Sequence, residues 1–158
     1  MRICVVGLGK VGLPLAVQAA SLGHDVIGLD ISESVVDLVN RGKEPFLGET
    51  DLGKKLEEVV HKGNFKALTD TGEAVSKSEV IVVIVPLLTD DFRVPDFSNL
   101  DDVTKTIGKN IHPGTLVCFE TTVPVHTTRQ RLTPILAEES GLDVGSEIFV
   151  AFSPERVS

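Results

Sequence analysis

The chain has only two cysteines, Cys4 and Cys118, a single methionine, and neither tryptophan nor tyrosine. Each cysteine lies inside an apolar run of strand length. The pair therefore makes no disulfide framework and no metal-ligand spacing, and both are expected to be inert core thiols. His24, His61, His112 and His126 are also far apart, with no ligand spacing and no recognisable acid partner, so no metal site is expected. Basic residues are scattered among acids in a chain of formal charge -8, which leaves no electrostatic footprint for nucleic acid. The longest apolar run, Val80 to Leu88, is too short to span a bilayer, and Arg2 leads at once into Ile3-Cys4-Val5-Val6 with no leader-like segment. These absences predict a cytoplasmic protein without nucleic-acid or membrane partners.

What is present is a chain of 158 residues, 42% hydrophobic and 24% charged, the size and balance of one globular domain. Strand-length apolar runs alternate with helix-period segments from end to end, the pattern of a parallel sheet covered on both faces. Strands are expected at Arg2 to Gly7, Asp25 to Leu29, Phe65 to Leu68, Val80 to Val85, Thr115 to Phe119 and Ile148 to Phe152. A nearly all-apolar helix should run from Val11 to Leu22, with Pro14 in its opening turn and Gly23 as its left-handed stop. Ser32 should cap a second helix that ends at Gly42, and Asp51 a third that ends at His61-Lys62-Gly63. After a long loop from Pro86 to Phe97, Ser98 should cap a helix bearing Leu100, Val103 and Ile107. A last helix, Thr127 to Glu139, contains Pro134 and should kink there. The expected fold is α/β: a Rossmann-type doubly wound parallel sheet of six strands in the order 3-2-1-4-5-6.

Gly7-Leu8-Gly9-Lys10-Val11-Gly12 matches G-x-G-x-x-G, a weak signal on its own. Here it directly follows a strand and opens a helix, and Asp30 ends the next strand about 20 residues on, as dinucleotide binding requires. Gly7 permits the tight turn, Gly9 lets the backbone approach a pyrophosphate, Gly12 lets helix and strand pack closely, and the helix N-terminus favours phosphate charge. Asp30 can accept both ribose hydroxyls of the adenosine and would repel the extra phosphate of NADP. With no Arg or Lys from Ile31 to Val36, the expected cofactor is NAD.

Other crevice candidates have two readings from the residues alone. Leu87 and Leu88 form either an apolar cofactor wall or ordinary loop packing. Thr121 and Thr122, at the carboxyl end of the fifth expected strand, either orient a water or a carboxamide or cap the strand end. Glu155 beside Arg156 serves proton transfer or is a surface ion pair.

The chain resembles the UDP-glucose/GDP-mannose dehydrogenase family, in the branch that includes UDP-N-acetylmannosamine dehydrogenases. The resemblance rests on GLGKVGLPLA at 7 to 16, EPFLGE at 44 to 49, VPLLTD with PDFS at 85 to 98, ETTVPVHTTR at 120 to 129 and FSPERV at 152 to 157. It implies oxidation of the C6 hydroxymethyl of a nucleotide-linked hexose to a carboxylate with two NAD, through a thiohemiacetal and a thioester on a cysteine. It implies NAD contacts from Gly7 to Gly12, Asp30, Val85, Pro86, Leu87, Leu88, Thr121, Thr122 and Val123. Thr122 would position a catalytic water or carboxylate oxygen, Glu155 would act in acid/base chemistry, and Glu155, Arg156 and Val157 would meet the nucleotide sugar. The chain departs from the family at Val35, where a cation is common, at Leu87-Leu88, where Thr-Pro is common, and at His126, where glycine is frequent. The family's central dimerisation helix, catalytic lysine, nucleophilic cysteine and C-terminal nucleotide-binding domain lie past the position of Ser158. The chain is thus expected to be the N-terminal, NAD-binding part of a longer, homodimeric enzyme, and to bind NAD without turnover. A free-standing NAD(H) sensor or regulatory module is the other reading. A dehydrogenase of small hydroxy acids is disfavoured by FSPERV and EPFLGE.

Overall fold

A computed structural model describes residues 1–46, 51–89, 92 and 94–154. In chain order the elements are β1 (Arg2–Val6), α1 (Gly12–Ser21), β2 (Asp25–Leu29), α2 (Glu33–Asn40), α3 (Leu52–Lys62), β3 (Phe65–Leu68), α4 (Thr71–Ser76) and β4 (Val80–Val83). They continue with β5 (Leu88–Thr89), β6 (Pro95–Asp96), α5 (Ser98–Asn110), β7 (Leu116–Phe119), a π-helical turn (Thr128–Leu132), α6 (Thr133–Ser140) and β8 (Phe149–Phe152).

The main sheet has six strands in the order β3-β2-β1-β4-β7-β8. All its pairings are parallel. This is the expected 3-2-1-4-5-6 arrangement, with β7 and β8 as its fifth and sixth strands because a small hairpin intervenes. The central strand explains why its sequence is apolar throughout. Side chains alternate across a strand, so Ile3 and Val5 enter one core with α1 and α3, while Cys4 and Val6 enter the other with α5 and α6. Both faces are covered and no polar side is needed. At the β3 edge, Asn40 donates through Nδ2 to the Ala67 carbonyl (2.9 Å) and accepts the Ala67 N–H at Oδ1 (2.8 Å). Its amide stands in for a neighbouring strand and closes that stretch of the edge.

Ser32 caps α2 as expected, its Oγ accepting from the Val35 N–H. Gly23 and Gly63 adopt the positive φ of helix stops. Four expectations are corrected. Asp51 makes no side-chain cap; it sits at φ 62, and its carbonyl accepts from Lys55. Ser98 is the first residue of α5, and its own N–H is taken by Asp96 Oδ1 at 2.9 Å. The long loop after β4 is partly ordered as an antiparallel hairpin, Leu88↔Asp96 and Thr89↔Pro95. The last helix is not one kinked α-helix. It opens with the π-helical turn and passes into α6, where Pro134 stands in the first turn. Proline has no N–H for the residue four back and its ring crowds that carbonyl, and the wider π turn accommodates both. The short helix α4 was not anticipated. Its signal was present, for Asp70 Oδ1 accepts from the N–H of Glu73, the D-x-x-E form of a helix start.

Candidate functional site

The glycine turn joins β1 to α1 at the carboxyl end of the sheet, where the strand order reverses between β1 and β4, the place at which open α/β sheets take ligands. Its three glycines are required for three separate reasons. Gly7 has φ 99, and a Cβ there would lie 2.6 Å from the Ile84 carbonyl oxygen. At Gly12 a Cβ would lie 1.8 Å from the Gly7 oxygen, so the helix can approach the strand only without a side chain. Gly9 has nothing within 4 Å and faces open space, as a backbone that a pyrophosphate must approach should. No side chain caps the start of α1 and its first turn has no acid, which leaves that positive helix end to a ligand's negative charge.

Leu8 is fully buried and packs against Gly28, so its side chain belongs to the core and only its backbone reaches the turn's outer surface. That N–H donates to Asp30 Oδ2 at 3.0 Å, and the N–H of Ser32 donates to Asp30 Oδ1 at 2.9 Å. One carboxylate therefore fixes the glycine turn and the entry to α2. Each oxygen retains a further lone pair, and the side chain is half-buried at the end of β2. Beside it Ile31 is 99% exposed.

A crevice of about 370 Å³ is lined by Gly9, Lys10, Val11, Gly12, Ile84, Pro86, Leu87, Glu120, Thr121 and Thr122. The fold thus gathers three distant segments from the sequence-derived set: the glycine turn, the loop after β4 and the loop after β7. Of the two threonines in the lining, Thr121 is buried and Thr122 exposed. Ile84 and Glu120, which sequence reasoning left out, complete the lining; both directly follow strands that end there. Val85 and Val123 lie outside this lining and pack against the α5/α6 core. Val123 also lines a second hollow of about 630 Å³ with His126 and Phe152. His126 sits at φ 73, the left-handed region that favours glycine. Glu155, Arg156 and Val157 lie outside the described residues. The segment leading to them follows β8, where the Ser153 N–H donates to the Phe119 carbonyl at 2.9 Å and holds the chain beside the end of β7.

Neither thiol is poised for attack. Burial pushes Cys4 up to about 12. Cys118 is also raised, by burial and then by the nearby Glu120 carboxylate. Cys4 is fully buried as expected, whereas Cys118 is only half-buried, because it lies on the face of β7 opposite the fully buried Val117 and Phe119. Among the described residues no cluster of His, Cys, Asp and Glu is arranged to hold a metal ion, and no helix is long and apolar enough to cross a membrane.

Residues 1–158 match the family described as UDP-glucose/GDP-mannose dehydrogenase, NAD binding domain. The chain is 38% identical over 159 residues to a UDP-N-acetyl-D-mannosamine dehydrogenase of Pyrococcus horikoshii, an alignment covering 99% of this chain and 37% of that protein. Against the solved ternary complex of GDP-mannose dehydrogenase from Pseudomonas aeruginosa it superposes with a TM-score of 0.94 at 30% identity, covering all of this chain and 37% of the other. The corresponding figures for the UDP-D-ManNAc dehydrogenase structure of P. horikoshii are 0.92 and 34%, with all of this chain and 37% of that one covered. The chain thus spans little more than a third of the length of the relatives it matches.

Proposed function

The chain belongs to the UDP-glucose/GDP-mannose dehydrogenase family, of which it is the NAD-binding domain, and from this premise we propose that it holds NAD in the crevice above the glycine turn, as the cofactor half of a nucleotide-sugar 6-dehydrogenase. The observation that carries the reading is the division of labour in the turn: Gly7 and Gly12 are closed by backbone while Gly9 stands open at an uncapped helix start. The pyrophosphate lies on that start, and Asp30 receives the adenosine ribose and repels a 2′-phosphate. Since Asp30 lies on the β2 side, the nicotinamide extends the other way, over β4 and β7, between Pro86-Leu87 and Thr121-Thr122.

NAD, when bound, accepts hydride from the carbon being oxidised. The chain's own residues bind and orient. Gly7 and Leu8 shape the turn, Gly9, Lys10, Val11 and Gly12 cradle phosphate through backbone, Pro86, Leu87 and Thr121 form the wall, and Val85 and Val123 pack behind it. The exposed Thr122 hydroxyl positions a water or a substrate oxygen. Glu155 serves proton transfer, and Glu155, Arg156 and Val157 meet the nucleotide sugar, a reading that rests on the FSPERV resemblance at 152 to 157. The reaction is oxidation of a nucleotide-linked hexose at C6 to the carboxylate with two NAD, in a cytoplasmic, homodimeric parent enzyme that acts without nucleic acid or membrane. The nucleophile is not supplied by this chain, because both thiols are held in the protonated form by burial.

The test is to titrate the chain with NADH and then incubate it with NAD and each of several UDP- and GDP-hexoses. Saturable NADH binding with no sugar oxidation is expected. Turnover of any nucleotide sugar contradicts the division of roles, and an absence of NADH binding contradicts the cofactor reading.

A further inference from the structure

We infer that Arg131 is a positioning residue that holds the two walls of the nicotinamide side of the crevice in register. The inference rests on the cofactor reading above. The walls come from separate segments, Pro86-Leu87 after β4 and Glu120-Thr121-Thr122 after β7. Sheet hydrogen bonding joins these segments at Val83↔Phe119 and through the bond from the Glu120 N–H to the Val83 carbonyl at 2.9 Å, and past it Val85 and Val123 pack against the same α5/α6 core. Beyond that point the first wall runs into the β5–β6 hairpin, whose pairing of Leu88 with Asp96 brings its root to Phe97. The second wall runs through Thr127 into the π-helical turn that carries Arg131.

Arg131 adds a polar tie between them. Its Nε donates to Asp101 Oδ1 at 2.8 Å and its Nη2 to Asp101 Oδ2 at 2.6 Å, while the guanidinium carbon lies 4.5 Å from the centre of the Phe97 ring. Asp101 is itself bound to the hairpin root, its N–H donating to the Phe97 carbonyl at 2.8 Å. The Asp101 side chain is 15% exposed and that of Arg131 46%, so the carboxylate is sheltered, and the contact is shorter than Lys105–Asp102 at 3.7 Å or Lys109–Glu139 at 3.8 Å. A planar fork bonded at two points and stacked on a ring fixes distance and rotation together, which a lysine cannot do. The walls that the α5/α6 core brings together are thus also tied in register by a side-chain clamp outside the crevice.

The cofactor can be divided to test this, because ADP-ribose carries the adenosine and pyrophosphate but no nicotinamide. Calorimetric titration of NADH and ADP-ribose is performed on the unmodified chain and on Arg131→Met, Arg131→Lys and Asp101→Asn, at a temperature where circular dichroism shows each folded. Arg131→Met is expected to weaken NADH by about 2- to 30-fold, the range for residues that act through others, and to leave ADP-ribose unchanged. Arg131→Lys should fall between. If Arg131→Met fails to fold, the other two variants decide the matter by the same ratio. An unchanged ratio of NADH to ADP-ribose affinity in the folded variants overturns the inference while leaving the cofactor reading intact. Failure of the unmodified chain to bind NADH removes both.

Discussion

The two halves of the crevice are held by different physics. On the adenosine side, β1, β2 and α1 meet through backbone: Gly12 against the Gly7 oxygen, and the Asp30 carboxylate on the N–H groups of Leu8 and Ser32. On the nicotinamide side, two loops extend past the end of the sheet, lean on the α5/α6 core through Val85 and Val123, and are tied by one arginine on one carboxylate and one ring. Backbone contact fixes shape whatever the neighbouring side chains are, whereas a clamp can be altered by a single substitution without disturbing the core. The adenosine half should therefore lose its fold where a backbone-packed residue is changed, and the nicotinamide half should lose binding where its clamp is cut.

The sharpest contrast lies within the turn itself. Gly12→Ala is expected to destabilise the domain by about 3 kcal/mol, because the obstructing atom is backbone and cannot step aside. Urea denaturation checks this, and NADH binding should disappear with it. Gly9→Ala has open space in the fold, so its stability should stay within about 0.5 kcal/mol of the parent chain. Its NADH affinity should nevertheless fall by roughly tenfold or more, as expected when a contact to a charged group is lost. Equal loss of stability in the two variants would erase the distinction between a closed and an open glycine.

Asp30→Asn tests whether one side chain both braces the turn and selects the cofactor. Loss of one charged acceptor for two backbone N–H groups should cost about 1.5 kcal/mol in denaturant. Removing the carboxylate should also narrow the gap between NADH and NADPH affinities. A variant that lost stability but kept full discrimination would assign selectivity elsewhere.

The smallest effect belongs to the other half. His126 holds φ 73 just before the π-helical turn, in a conformation that costs a non-glycine residue about 1 kcal/mol. His126→Gly should raise thermal stability by a similar amount and leave NADH affinity unchanged, since His126 lines the second hollow and not the crevice. A stability loss there would mean that the imidazole makes a contact outweighing the strain.

Legibility in the sequence follows the same division. The six main strands could be read because a parallel sheet covered on both faces needs apolar residues at consecutive positions, as in Ile3 to Val6. Gly7, Gly9, Gly12 and Asp30 could be read because backbone chemistry needs those residue types at that spacing. The hairpin was hidden because its strands are two residues each and carry no period. Pro134 announced a distortion but not its form, which depends on what α6 packs against. Asp70 and Glu73 carry the D-x-x-E start of α4, but that helix has six residues and is too short to show a helical period. The link between Arg131 and Asp101 joins two helices across 30 residues of sequence, and no local pattern predicts it.

Comparison of NADH with NADPH on the unmodified chain tests the cofactor assignment most directly. Neither tryptophan nor tyrosine is present, so the fluorescence of either reduced cofactor can be followed without overlapping protein emission. Saturable NADH binding with NADPH weaker by at least roughly tenfold is the expected result, given a carboxylate at the ribose and no cation from Ile31 to Val36. Equal affinity for the two, or tighter binding of NADPH, would contradict the role given to Asp30.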